Sequence, residues 1–202
     1  MPKSWKRLAI DTATDYVYLS LIENDREKEN IIKSGNHDHS VTTIPLMAEL
    51  LERNGWKLNE LDEIIVGIGP GSYTGVRIGV TIAKMIGYLN HIKVSAVSSL
   101  ALLASGSEAK IIVPLIDARR QNAFIAAFKQ NNGKLEYMKP DCLANKEEFL
   151  DGMKPMDYEV VDSGKYNIEK IITSGLLISI ENIHELVPNY LQMTEAERNI
   201  QQ

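Results

Sequence analysis

The sequence is short of cysteine, of long apolar runs and of positive charge. Its one cysteine, Cys142, excludes a disulfide framework and a cysteine-built zinc site. A lone thiol of this kind reads as a packing or surface residue in a reducing compartment. No apolar stretch approaches the roughly 20 residues that span a bilayer. The charged start, Met1 to Arg7, runs straight into Leu8-Ala9-Ile10-Asp11 without a signal-peptide core. The expectation is a cytoplasmic protein with no membrane partner. Lys and Arg total 22 against 27 Asp and Glu, a net charge of −5. Such a chain is not by itself an electrostatic trap for nucleic acid or anionic lipid, although a partner subunit could supply the positive surface.

What remains is ordinary globular composition, 44% hydrophobic and 24% charged over 202 residues. That length suits one large domain or two halves of about 100 residues. Strand patterns at 7–13 and 15–22 flank a short Thr-Ala-Thr-Asp link and read as a hairpin, with a third strand at 30–33. A helix over 40–54, with Pro45 in its first turns, ends at Asn54-Gly55. A buried strand at 63–68, a helix at 73–89, a strand at 93–97 and a helix at 98–105 follow. The second half, from a boundary at 105/106, starts with strands at 110–117 and 122–128 and a weaker one at 135–138. A helix at 145–151 and a short strand at 159–161 precede a mixed region that reaches Tyr190. The two domains expected are therefore 1–105 and 106–202, α/β layers around mixed sheets, the second a shortened copy of the first.

The most informative stretch is Gly67-Ile68-Gly69-Pro70-Gly71-Ser72-Tyr73-Thr74-Gly75-Val76-Arg77-Ile78-Gly79. Ser72 and Thr74 stand where a dinucleotide fingerprint needs glycine, and no Walker Gly-Lys-Ser/Thr is present. Two readings stay open for Gly69, Gly71, Ser72 and Thr74: a helix start capped by Ser72, or a turn whose free amides hold an anion. The helix beyond it repeats Gly75, Gly79, Ala83 and Gly87 on one face. Glycine costs about 1 kcal/mol per helix position against alanine, so this stripe needs a compensating contact. Either the helix is internal, packed on its own sheet, or one face meets a partner subunit. The partner-contact candidates are Val41, Ile44, Met47 and Leu51 on the first helix and Gly75, Val76, Gly79, Val80 and Ala83 on the second.

The loop Gly-Pro-Gly-Ser-Tyr-Thr-Gly-Val-Arg-Ile-Gly at 69–79 resembles the signature of the TsaB (YeaZ) family. Ile10-Asp11-Thr12-Ala13-Thr14, His39-Ser40 with Ile44-Pro45-Leu46, Ile116-Asp117-Ala118-Arg119-Arg120, and Pro188-Asn189-Tyr190-Leu191 with Glu195-Ala196-Glu197 agree in order. The chain departs at Gln192, where the family commonly has Arg, and at Gln121-Asn122-Ala123-Phe124, where a Glu-Val-Tyr-like run is usual. The resemblance implies an actin-like ATPase (ASKHA) fold with two βββαβαβα-type halves. It also implies a non-catalytic subunit, similar to the transferase TsaD, that pairs with TsaD and TsaE. The complex transfers threonylcarbamoyl to the adenosine beside the anticodon in tRNAs reading codons that begin with A. A homodimer would form when the chain is alone, and tRNA would be met only through the complex.

TsaD-like enzymes carry a His-x-x-x-His metal pair where this chain has Ser99 and Leu103, so that metal site cannot form here. His37, Asp38 and His39 have poor spacing for a metal site and read as loop and capping residues. His91 and His184 stand alone. Asp11 and Asp117 end equivalent strands, and with Thr12 and Arg119 they would mark a vestigial nucleotide cleft. Neither adjoining turn has the paired small residues that wrap a triphosphate. No cofactor is expected, with weak nucleotide binding as the remaining alternative. The competing function is a free-standing actin-like ATPase or small-molecule kinase. No Ser-His-Asp or Cys-His arrangement follows from the spacing.

Overall fold

The computed structural model describes residues 4–34, 38–154 and 156–191. Strands β1 (Lys6–Asp11), β2 (Tyr16–Glu23) and β3 (Arg26–Ser34) form an antiparallel meander. Helix α1 (His39–Arg53), β4 (Glu63–Gly67), α2 (Tyr73–Asn90), β5 (Lys93–Val97) and α3 (Ser99–Ala104) follow in the expected order. β4 pairs parallel with β1, and β5 parallel with β4. β3 is longer than its apolar residues suggested. Its charged start, Arg26 to Glu29, is held by pairing with β2 rather than by burial. Pro45 lies inside α1.

Alternation along the strands divides the core. Leu8, Ile10, Ile64 and Val66 face one way, into a cluster with Met47, Leu50, Val76 and Val80 of α1 and α2. Ala9 and Ile65 face the other way, into a cluster with α3. That second cluster continues without a break into Ile112, Phe124, Phe128, Ile168 and Ile171 of the second half.

The second half holds β6 (Ile111–Asp117), β7 (Asn122–Asn131), β8 (Lys134–Asn145), α4 (Lys146–Asp151), β9 (Glu159–Val161), α5 (Ile168–Ser174) and β10 (Ile178–Ile180). Its sheet order β8-β7-β6-β9 repeats the order β3-β2-β1-β4 of the first. The strand that would complete the copy, β10, leaves the second half and pairs antiparallel with β5. The first sheet is therefore β10-β5-β4-β1-β2-β3. Residues 178–189, grouped with the second half by the sequence, lie on the first. β8 runs far past the expected 135–138. Its edge position tolerates Pro140, and its pairing with β7 absorbs shifts of register between Ile125 and Phe128.

Lys170 of α5 is buried, and its ammonium donates to Ser107 O at 2.6 Å, Gln130 Oε1 at 2.8 Å and Glu108 Oε1 at 3.0 Å. These bonds tie α5 to β7 and to the link between the halves. Lys170→Met keeps the stem and removes the donor, so it should cost about 1–3 kcal/mol. In urea unfolding the midpoint should fall while the slope is unchanged.

Candidate functional site

The turn between β1 and β2 is held by α2. Thr12 is fully buried, and its hydroxyl donates to Gly75 O at 2.6 Å and accepts from Gly79 N–H at 3.0 Å. It thus lies across one rung of the helix ladder. A Cβ at Gly75 would collide with Thr12 O, and one at Gly79 would lie 2.7 Å from Thr12 Oγ1. Ala83 is fully buried in the core under the same helix. Gly75 and Gly79 are therefore the seat of the chain's own β1–β2 turn and Ala83 is core, and the assignment of these three as close contact with a partner is corrected. Met47, Leu51, Val76 and Val80 are core residues too. Of the nine partner-contact candidates only Val41 and Ile44 are exposed, at 67% and 52%. α2 instead presents Met85, Tyr88 and Leu89, at 56%, 56% and 68%.

The glycine loop is closed from within. Ile68 N–H donates to Val97 O at 3.0 Å, Gly69 N–H to Ser99 Oγ at 3.0 Å and Ser72 N–H to Ala13 O at 2.8 Å. Ser72 Oγ caps α2 by accepting from Gly75 N–H at 3.3 Å. Gly71 is glycine because a side chain would strike Ala13. Asn189 N–H donates to Ile68 O at 2.7 Å, so the C-terminal segment straps the loop from outside. The capped-start reading describes this loop, and the amides named are not aimed at an anion.

Asp11 and Asp117, equivalent in the sequence, have opposite surroundings. Asp11 is fully buried beneath Gly67, whose position would be closed by any side chain. Its Oδ1 accepts from Ser99 Oγ at 2.7 Å, and its Oδ2 has no hydrogen-bond partner. Burial pushes its pKa up to about 6, and the Ser99 hydroxyl and nearby amides of Ala13 and Thr12 only partly pull it back. Asp117 is exposed and accepts from Arg119 N–H at 3.0 Å. Arg119, Arg120 and Gln121 follow it with φ of 65°, 52° and 64°, a left-handed run of side-chain-bearing residues.

A cleft of about 1190 Å³ separates the β1–β2 turn and the start of α2 from the β6–β7 turn. Thr14, Ser72, Thr74, Asp117, Arg119 and Tyr190 are among its lining residues. Of the four cleft candidates, Asp117 and Arg119 line it. Asp11 and Thr12 do not: Asp11 turns inward beneath Gly67 and Thr12 onto the backbone of α2, and that placement in the cleft is corrected. Tyr190 is a residue that chemistry alone did not single out. Its hydroxyl accepts from Arg77 Nε at 2.6 Å, and Arg77 also covers the Tyr73 ring at 4.0 Å. The signal for it lay in the Pro-Asn-Tyr-Leu run.

Ser99 stands where the first metal histidine of TsaD-like enzymes would be and spends its hydroxyl on Gly69 and Asp11. Leu103 is fully buried in the second cluster. His39 Nε2 lies 3.0 Å from Thr14 O, and His184 meets the Tyr88 ring edge-on. His37, Gln192 and Glu195 to Glu197 lie outside the described residues.

A family model for TsaD, tRNA N6-adenosine threonylcarbamoyltransferase, matches residues 30–199. The tRNA threonylcarbamoyladenosine biosynthesis protein TsaB of Bacillus subtilis is 33% identical, over 94% of this chain and 95% of its own. TsaB of Escherichia coli is 28% identical, over 72% of this chain and 67% of its own. The solved structure of YeaZ from Pseudomonas aeruginosa superposes with a TM-score of 0.76 at 21% identity, covering 93% of this chain and 100% of that one. A second Pseudomonas aeruginosa structure, of a protein described as similar to peptidase YeaZ, gives 0.77 at the same identity and coverage. The two mixed sheets, the TsaD family model and these neighbours together fit the expected actin-like ATPase fold.

Gly79→Leu should lower the stability of the monomer itself, by about 3 kcal/mol from overpacking against Thr12, read as a fall in Tm at concentrations where no dimer forms. Asp11 predicts a pH dependence. Its folded pKa, about 6, lies above the ordinary aspartate value of 3.8, so the folded state binds the extra proton. Stability from this group is full below pH 3.8 and is lost as pH rises through 6, by about 3 kcal/mol in all. Asp11→Asn removes that loss. Its stability relative to the parent should climb from pH 4 to about pH 7 in denaturant titrations and level off above.

Proposed function

The chain belongs to the TsaB family, and from that premise we propose that it works in tRNA threonylcarbamoyladenosine biosynthesis as a non-catalytic partner of a TsaD-type transferase. The observation that carries the non-catalytic part is the closed turn. An actin-like ATPase holds phosphates on free amides beside the first strand, and here Ser72 N–H, Gly71 and Gly75 fill that side of the β1–β2 turn. Asp11, the carboxylate of that turn, is sealed behind Gly67 and Ser99.

The partner-binding part rests on the outer faces of α1 and α2. These helices lie on one face of the first sheet and leave Val41, Ile44, Met85, Tyr88 and Leu89 exposed. Exposed large apolar residues on neighbouring helices support a docking role for this side of the sheet. In the complex TsaD covers this face, and without TsaD a second copy of the chain does. TsaE completes the assembly, tRNA is met through the complex, and the site of action is the cytoplasm. Among the described residues no helix is long and apolar enough to cross a membrane.

The second reading, a small ATPase or kinase, is favoured by the size of the cleft and by Asp117 on its wall. Reconstitution separates the two. TsaD, TsaE, tRNA, ATP and threonylcarbamoyl-adenylate are combined with and without this chain, and modified adenosine is scored. Product should appear only with the chain present and should persist with Asp117→Ala. Ile44→Asp should abolish both product and co-elution with TsaD. Product lost with Asp117→Ala while pairing is intact, or normal pairing by Ile44→Asp, would sink the proposal. ATP turnover by the chain alone that falls with Asp117→Ala would establish the alternative.

A further inference from the structure

We infer that the two halves move as one rigid body and that the cleft stays open, held by a clasp that residues 166–169 form on the first half. Relative motion of domains is the default where the surface between them is small and polar. Here it is neither. The second apolar cluster runs from Ala9, Tyr18 and Ile65 of the first half to Phe124, Phe128 and Ile171 of the second. Tyr166 stacks on Tyr18 with ring centroids 4.4 Å apart and planes 15° from parallel. Its hydroxyl lies 3.2 Å from Thr14 Oγ1, on the β1–β2 turn.

Three residues further on, the Glu169 carboxylate accepts from Arg26 Nη1 at 2.7 Å and from Glu27 N–H at 2.9 Å. The β2–β3 hairpin is thereby pinned to α5. At the N-cap of α3, Ser98 Oγ donates to Asp141 Oδ2 of β8 at 2.6 Å. The chain then returns to the first half through β10 on β5. Swinging the second half about the link at 105–107 would unstack Tyr166, strip both bonds from Glu169 and strain the β10 pairing together. A hinge works where few contacts cross it, and these contacts cross at several separate places. The cleft is thus a fixed recess, and whatever meets its rim meets a preformed surface. The inference rests on the fold alone, so it stands or fails independently of the tRNA-modification role.

The test measures the width of the cleft in the full chain. Spin labels at Thr74→Cys and Lys146→Cys, one on each lip, are introduced in a Cys142→Ala background. The distance distribution is recorded alone and with magnesium-ATP. One narrow population, unmoved by nucleotide beyond label-rotamer width, is expected. A second population or a displaced mean overturns the inference. Tyr166→Ala with Glu169→Ala should broaden the distribution, and a distribution that stays narrow in the folded double variant overturns the role of the clasp. Hydrogen exchange on the unmutated chain covers the case in which that variant does not fold. Amides of α5 and β10 should exchange at rates within about tenfold of those of β5, and much faster exchange in α5 and β10 together overturns the clasp.

Discussion

The first half is organised around one hydroxyl. Thr12 places its Oγ1 between the carbonyl of Gly75 and the amide of Gly79, inside the ladder of α2. For that hydroxyl to reach the helix backbone, the helix must carry no side chain at those positions, and so it carries glycine. The approach draws the β1–β2 turn down onto the glycine loop, where Ser72 N–H meets Ala13 O. α2 in turn lies flat on the first sheet, and its remaining faces are assigned by that contact. The cost in helix propensity, about 1 kcal/mol per glycine, is set against one buried hydroxyl satisfied in both its donor and acceptor roles.

The same contact decides what the molecule can do chemically. A turn gripped by a helix has no free amides for phosphate on the gripped side. Asp11, at the end of β1, is carried inward with the turn and ends beneath Gly67, a position where its charge is disfavoured. Asp117 ends the matching strand of the second half, where no such helix follows, and it remains in water. One fold repeated twice thus yields a sealed carboxylate and an open one. The difference lies in what stands over each carboxylate, Gly67 and Ser99 over Asp11 and the open cleft over Asp117.

Much of this was legible in the sequence, and the boundary of legibility is physical. The apolar run at Leu8 to Ile10 and the alternation at Tyr16 to Leu21 marked the hairpin, and Ser72 ahead of Gly75 marked the cap. The eleven-residue loop gave the family. The direction in which Gly75, Gly79 and Ala83 face was not legible. A stripe of small residues admits any close backbone, whether from the same chain or another, and only tertiary placement distinguishes them. The fate of Asp11 was hidden likewise, because it depends on Gly67 and Ser99, distant from it in sequence. β10 is three residues long, too short for a period to register, and Pro140 concealed an edge strand that continues through it.

The return of β10 to β5 also bears on how the chain is made. Synthesis runs from the N-terminus, and domains tend to fold in the order they emerge. The first sheet here cannot do so completely, because its outermost strand is coded at 178–180. Until that segment leaves the ribosome, β5 presents an open row of backbone donors and acceptors, the kind of edge that pairs with other nascent chains. The strap that closes the glycine loop, at Asn189, arrives later still. The two halves are therefore not successive folding units, and a product truncated before 178 would carry an unfinished first sheet.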